Sequence, residues 1–365
     1  MNALLSGAAI LAWLLTLHSW INRRFLVRGD SREISDSITI AIPARNEESN
    51  IRECVAAALN QTNVTNLRVL VLDDGSTDNT LTILNTFLDE RLTVLTGRGE
   101  PPTGWLGKPY ACSQIAQQSH STYLIFIDAD VVLAPHAVSS AVAALCDNNL
   151  AFVSPYPRQL VSSPFARLIQ PLLQWSWLTT VPLRISLRTQ RPSMAVGNGQ
   201  FIAVTREAYE ACGGHESVRD KVLEDIELSR VFSRHGFRAS VADGTDLATC
   251  QMYESDKQLV AGYAKSLWAA FDGALGSLFI NGFLVFAYVF PLLGFALGHM
   301  GLALVGYCAG VVGRLASARQ FKQHTIPEIF LHPLSILGFV YLNGVSWYRH
   351  KRGLNTWKGR QLSAS

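Results

Sequence analysis

The chain has 365 residues, 48% of them hydrophobic and only 16% charged, against roughly 25% charged in ordinary soluble domains. This length holds one large domain or two modest ones around a sizeable core. A net charge of +3 is too small to argue for a nucleic-acid partner, and six cysteines without CxxC spacing exclude a disulfide framework or zinc site as the first reading. They read as small buried apolar residues of a reducing compartment.

The charge deficit collects at the N-terminus and between residues 276 and 348, which implies membrane segments attached to an ordinary globular middle. Residues 2–20, NALLSGAAILAWLLTLHSW, are long enough to cross about 30 Å of hydrocarbon as a helix. A signal peptide carries its positive charge before the apolar run, whereas Arg23 and Arg24 follow this one. That asymmetry puts the N-terminus outside and the next domain in the cytosol. Residues 1–24 therefore read as an anchor.

Beyond the anchor, short apolar runs alternate with helical patterns. Residues 37–42 (SITIAI) form a strand stopped by Pro43, and a helix is expected over 47–59. A buried strand follows at 68–72, a helix at 77–88, a strand at 91–95, a helix at 108–118 and a strand at 122–127. A further helix runs from about 135 to 146. The pattern predicts an α/β domain over 35–255, with a mostly parallel sheet covered on both faces.

The polar clusters fall at the ends of these strands: PARNE (43–47) after the first, DDG (73–75) after the second and DAD (128–130) after the fourth. In open α/β sheets the ligand site lies outside the carboxyl ends of the strands, so the three clusters should converge. In DDGSTDNT (73–80), Gly75 and a capping Ser76, Thr77 or Asp78 are explained by a strand-to-helix turn. Two carboxylates closing a buried strand are not; Asp73 and Asp74 could accept hydrogen bonds from a uracil N–H or ribose hydroxyls. Asp128 and Asp130 point to one side of an extended segment and make a hard-oxygen pair of the kind Mg²⁺ or Mn²⁺ uses beside a diphosphate.

Lys108 in WLGKPYA (105–111) sits at an expected helix N-terminus, where a cation opposes the helix dipole. It is either a solvated loop lysine or a residue facing a phosphate or sugar. GNGQ (197–200) precedes the strand FIAV (201–204) and reads as a turn or as a close backbone approach to a sugar, with Gly199 at its centre. Glu224 and Asp225 open a helix whose apolar positions are 226, 228, 231 and 232. Acidic residues there are ordinary first-turn chemistry, or Asp225 is a general base. His215 and His235 flank this helix and read as satisfied loop or surface histidines.

Three further stretches are apolar. Residues 165–183, punctuated by Pro171 and Pro182, read as an interfacial helix presenting Trp175 and Trp177 or as a core-facing one. Residues 276–313 hold two closely connected spans, and 329–347 a third run containing His332, Pro333 and Asn343. Three full crossings would put Arg349 to Arg352 outside, against the positive-inside rule. Either the first stretch does not cross twice or the last segment is re-entrant around His332-Pro333.

PARNE, DDGSTD, GK, DAD and ED, in this order over residues 37 to about 270, resemble the family 2 glycosyltransferases with a GT-A fold. The resemblance implies inverting transfer from a nucleotide diphosphate sugar, with a UDP-hexose the expected donor and Mg²⁺ or Mn²⁺ as cofactor. It places Pro43, Arg45, Glu47, Asp73, Asp74, Asp128 and Gly199 along the nucleotide-sugar and Lys108 near the diphosphate or ribose. Asp130 with Asp128 would bear the metal, and Asp225, beside Glu224, would be the base. The anchor, WLGKPYA, LED, the apolar C-terminal region and WKGR (357–360) are also similar to membrane glycosyltransferases of carotenoid and hopanoid pathways.

The polysaccharide synthases of this family carry QxxRW after ED. Here the corresponding stretch is GYAKSLW (262–268), where Lys265 and Trp268 stand as possible donor or acceptor contacts together with Trp357, Lys358 and Arg360. The expected layout is thus an anchor (1–24), the GT-A domain (35–255), an interfacial segment (256–275), a transmembrane or re-entrant region (276–348) and a basic cytosolic tail (349–365). The leading expectation is a multi-pass protein of the inner membrane with its catalytic domain in the cytoplasm. It would move one sugar to a membrane lipid or isoprenoid-type acceptor. A processive synthase and a non-catalytic scaffold that keeps the fold are the alternatives.

Overall fold

The central strand β1 (Ile34–Ala44) has polar residues in its first half, is buried from Ile38 to Ile42, and runs through Pro43, where the sequence expects it to stop, to end before Arg45. The chain is described here from a computed structural model covering residues 1–357, 360 and 361. Strands β2 (Val64–Asp73), β3 (Leu92–Thr96) and β4 (Tyr123–Ile127) complete a parallel set with β1. The rest of the sheet is formed by β5 (Val131–Leu133), β6 (Phe152–Gln159), β7 (Phe201–Thr205) and β8 (Ala239–Cys250). The eight strands lie in the order β3-β2-β1-β4-β7-β6-β8-β5. β7 is antiparallel to β4 and β6, and β5 to β8, so the parallel expectation holds for the half that carries the three polar clusters.

Both faces of the sheet are covered because alternate residues of its strands are apolar on both sides. Ile40, Ile42, Val69, Val71 and Ile125 pack with Val55 of the helix Ile51–Leu59 and Val142 of the helix Ala137–Asp147. Ala41, Leu70, Leu72 and Phe126 pack on the opposite face, with Ile115 of the helix Gly107–Gln118 and Phe232 of the helix Glu224–Arg234. This sheet and its helices make one compact unit, residues 26–158 and 184–251.

Two helices are shorter than their sequence pattern. The one expected over 47–59 begins at Ile51, and that expected over 77–88 is confined to Thr80–Leu84. The reason is that the loops after β1 and β2 bond to each other instead of winding up. Asn46 N–H donates to Ser76 Oγ (3.0 Å), Glu47 N–H to Thr80 Oγ1 (2.8 Å) and Glu48 N–H to Asp78 Oδ2 (3.1 Å). Thr77 N–H donates in return to Asn46 Oδ1 (2.8 Å).

The second unit comprises residues 1–25, 159–183 and 252–365. Three of its helical segments, Asn2–Phe25, Gly273–Ala296 and Met300–Gln320, are long and apolar enough to cross a membrane. In the run that includes His332-Pro333 a helix, His332–Lys351, begins at that pair. Pro333 lies in its first turn, where a missing N–H costs no helical bond. Residues 165–183 do not form one interfacial helix. They make short helices at Pro164–Ile169 and Leu172–Thr180, and Trp175 and Trp177 are buried, 2% and 6% exposed. Thr356–Trp357 and Arg360–Gln361 form a short antiparallel pair, while Lys358 lies outside the described residues.

Asn46 holds a left-handed conformation (φ 52°) as well as the bond from Thr77. Asn46→Ala removes an acceptor and a side chain suited to that conformation, and should cost about 1–2 kcal/mol. Thermal or denaturant unfolding against wild type measures it.

Candidate active site

The strand register brings the polar clusters together. Ala44 at the end of β1 pairs with Asp73 at the end of β2, and Ala41 pairs with Phe126 of β4, so the three strands finish at one edge. β1 lies between β2 and β4, the point at which the strand order changes direction and a crevice opens. β7 arrives antiparallel with Phe201 opposite Ile127, which sets the GNGQ turn beside DAD. Asp128 N–H donates to the Gln200 carbonyl at 3.2 Å.

Lys108 joins the two acidic motifs. Its Nζ lies 2.6 Å from Asp128 Oδ1 and 3.1 Å from Glu224 Oε1. Burial works against its cation, but Asp128 and Glu224 outweigh that and hold its pKa well above the ordinary lysine value. The helix Gly107–Gln118 thus starts with a lysine pointed at carboxylates, which removes the conflict with its dipole as an isolated charge. Pro43, Lys108, Asp128, Gly199, His215 and Glu224 share the lining of one cleft.

Asp225 stands next to this cleft with both oxygens occupied. Oδ2 accepts from Gly199 N–H (2.7 Å) and Oδ1 from Ile226 N–H (2.8 Å). Burial and the adjacent Glu224 push its pKa up to about 6. Asp130 is pushed up to about 7, by burial and then by Asp128 and Glu47, and its Oδ1 is buried without a hydrogen-bond partner. The chemistry of Asp130 suits a hard cation, which would supply the missing partner. Among the described residues no three His, Cys, Asp or Glu side chains are arranged as a complete ligand set. A divalent ion at Asp130 and Asp128 would therefore draw its remaining ligands from water or phosphate oxygens, as Mg²⁺ and Mn²⁺ commonly do.

The other sequence candidates hold the rim or lie elsewhere. Asp73 and Asp74 are each 3% exposed. Asp73 accepts from Ser76 N–H at 3.4 Å, and Asp74 N–H donates to Ala44 at 2.8 Å. Arg45 Nη1 donates to the Asp74 carbonyl, while Glu47 Oε2 accepts from Asn50 (3.0 Å). Lys265 and Trp268 belong to the unit of apolar helices, where Trp268 Nε1 donates to the Lys265 carbonyl (3.0 Å) and the indole stacks on His350 at 3.5 Å. The backbones of Trp357 and Arg360 belong to that unit too.

His215 is the lining residue whose place the sequence did not reveal. It is 2% exposed, and its ring stands edge-on to Phe126 at 4.6 Å. Tyr209 Oη accepts from His215 N–H (3.1 Å) and lies 2.8 Å from His215 Nδ1. Burial lowers the His215 pKa to about 4, against the pull of Glu224, so the ring is neutral at physiological pH. Its signal in the sequence was no more than a lone histidine after a Gly-Gly turn. His235, in contrast, bonds through Nδ1 to the Val231 carbonyl (2.9 Å) at the end of its helix.

A parallel α/β half-sheet whose strand ends gather DAD, a lysine and ED in one cleft is the catalytic domain of a GT-A glycosyltransferase. Residues 39–213 match the model of glycosyl transferase family 2. The chain is 25% identical to a 4,4'-diaponeurosporenoate glycosyltransferase of Staphylococcus aureus strain MRSA252, over 94% of this chain and 93% of that one. The strain N315 protein of the same name is 26% identical, over 90% and 89%. A mannosyltransferase from Pyrobaculum calidifontis, solved in complex with GDP-Man and Mn²⁺, shares the fold. Its TM-score is 0.58 at 18% identity, covering 94% of this chain and 98% of that one.

A Cβ on Gly199 would lie 2.8 Å from Lys108 Nζ and 3.3 Å from Glu224 Oε1. Gly199→Ala must shift the end of the lysine side chain and so disturb its contacts with Asp128 and Glu224. We expect glycosyl transfer to fall by about tenfold or more with little change in melting temperature. Equal activity of the folded variant would show that the bridge is dispensable.

Proposed function

We propose that the protein moves a sugar from a nucleoside diphosphate sugar to an isoprenoid-type lipid at the membrane, with inversion at the anomeric carbon. The observation that carries this reading is Lys108 bridging Asp128 and Glu224, which puts the DAD and ED motifs on one cleft at the switch point of the sheet. The fold relative bound to GDP-Man and Mn²⁺ and the relatives named for diaponeurosporenoate support the donor class and the acceptor class respectively. The three long apolar helices support a membrane location, and Arg23 and Arg24 after the first support a cytosolic catalytic domain.

In this reading Pro43, Arg45, Glu47, Asp73 and Asp74 form the nucleotide end of the site, and Gly199 lets the sugar approach closely. Lys108 faces the diphosphate. Asp130 with Asp128 would hold a divalent cation, whose chemistry would be to offset charge on the departing diphosphate. The acceptor oxygen forms a bond to the anomeric carbon while the bond from that carbon to the diphosphate oxygen breaks. With a hydroxyl acceptor, the proton goes to Asp225, whose pKa of about 6 suits a base near neutral pH. A carboxylate acceptor is already ionised and needs no such transfer.

The test is nucleotide release by the full-length protein, with UDP- and GDP-sugars, Mg²⁺ or Mn²⁺, and a polyene carboxylic acid or alcohol as acceptor. Acceptor-dependent release that Asp130→Ala lowers by about a hundredfold supports the metal-assisted transfer. No release from either donor by folded protein would refute it.

Asp225 also predicts a pH dependence. Its folded pKa is raised, so the basic form is present above about 6 and is lost as pH falls through that value. A hydroxyl acceptor should then lose rate by about tenfold per unit below pH 6, and Asp225→Asn should remove nearly all its transfer. A carboxylate acceptor should keep its rate through the same window. A flat profile with the hydroxyl acceptor would take Asp225 out of the base role.

A further inference from the structure

The unit of apolar helices contains a buried guanidinium whose hydrogen-bonding capacity its own side chains do not fill. Arg314, in the helix Met300–Gln320, is 1% exposed. Its Nη2 makes one long bond, 3.4 Å to the Leu168 carbonyl, and its Nε and Nη1 have no hydrogen-bond partner. The nearby carboxylate Glu328 has Oε1 2.6 Å from Nε of Arg167, which is partly exposed, and its Oε2 is buried without a hydrogen-bond partner. No carboxylate is paired with Arg314 among the described residues. Two guanidiniums against one carboxylate leave one positive charge over. An unpaired ion in a low-dielectric interior costs several kcal/mol, so it persists where something else compensates it.

Other buried polar atoms of this unit also lack partners. Ser317 Oγ, one helical turn after Arg314, has no partner, nor have Gln170 Oε1 and the two ring nitrogens of His332. His332 shares the face of Arg314: a Cβ on Gly310, one turn earlier, would stand 3.1 Å from its ring. The His332 ring is in turn flanked edge-on by Trp175 and Tyr288, each at 4.8 Å. A guanidinium with free donors and an imidazole, walled by aromatic rings inside an apolar unit, fits an anion carried on an apolar chain. The irregular segment 321–331 bounds this cluster. It turns Glu328 inward while Ile326 (70%) and Phe330 (48%) remain exposed.

We propose that Arg314, with His332, recognises the anionic headgroup of an amphiphile held among these helices, and that the headgroup is a carboxylate on an unsaturated apolar chain. The chemistry rests on the lipid acceptor proposed above. A monoanion matches the single excess charge; the aromatic walls match the chain. The irregular segment 321–331 is the way in.

Binding is measurable without any sugar donor, so failure of this site and failure of the proposed transfer are distinguishable. The probe is cis-parinaric acid, a fluorescent polyene carboxylic acid, compared with its methyl ester on the full chain in a neutral detergent. Wild type should bind the acid at least about tenfold more tightly than the ester. Arg314→Gln should erase that preference and leave ester affinity as it was, while Arg314→Lys keeps part of it. Retained ester binding certifies that the variant is folded; if the Gln variant loses it, the wild-type ratio and the Lys variant decide. Equal wild-type affinity for acid and ester, or an undiminished preference in Arg314→Gln, overturns the site. Displacement of the probe by dodecyl phosphate but not by dodecanoate overturns the carboxylate assignment and gives the site to phosphate lipids.

Discussion

The active-site region depends on one ammonium group. Lys108 Nζ contacts Asp128, which follows the fourth strand, and Glu224, which opens a helix far later in the chain. Four carboxylates, Asp128, Asp130, Glu224 and Asp225, lie in or beside the cleft, and one lysine cannot neutralise them all. The two it touches directly differ in outcome: burial pushes Asp128 up on balance, whereas Lys108 draws Glu224 below its ordinary value against burial. The two it does not touch, Asp130 and Asp225, are pushed up first by burial and then by the neighbouring carboxylates, against a weaker pull from Lys108. Negative charge left over at a crevice is what a cation-bound donor would relieve. The same imbalance gives Asp225 a basicity useful near neutral pH.

The sheet makes this possible through register. β1, β2 and β4 end together because their apolar runs pair in register, and the antiparallel β7 delivers Gly199 to the same edge from the opposite direction. Gly199 then does two things at once: its N–H fixes Asp225, and its missing side chain leaves room for Lys108. His215 lines the same cleft, with its ring and backbone N–H both held by Tyr209. The loops of PARNE and DDGSTD are fastened to each other by crossed side-chain bonds, and Arg45 is bound to the backbone beside Asp74. Residues read as ligand contacts thus have a structural duty as well.

The second unit obeys a different balance. Its helices are apolar outside, with Leu275 83% exposed and Phe279 71% exposed, and polar in part within, with Arg314, His332 and Asn343 buried. An inward charge in such a unit has no water to turn to, and its chemistry is therefore informative about what the unit holds. Trp175 and Trp177 illustrate the inversion. They look like bilayer-facing aromatics in the sequence but are spent on internal packing, Trp175 against Tyr288 and Trp177 against Phe321.

What the sequence determined alone was whatever depends on neighbours in the chain. The apolar runs gave the strands, and the polar residues that stop them gave Pro43, Asp73, Asp128 and Asp130 as candidates. The order PARNE, DDGSTD, GK, DAD, ED gave the class of enzyme, and long apolar stretches gave the membrane-length helices. Tertiary structure decided whatever depends on partners far along the chain. It shortened the helices at 51–59 and 80–84 because their expected first turns bond to each other's loops. It made the far half of the sheet antiparallel and carried Lys265 and Trp268 into the other unit. It also paired Lys108 with two carboxylates and left Arg314 without one, since ion pairing is set by distance in space.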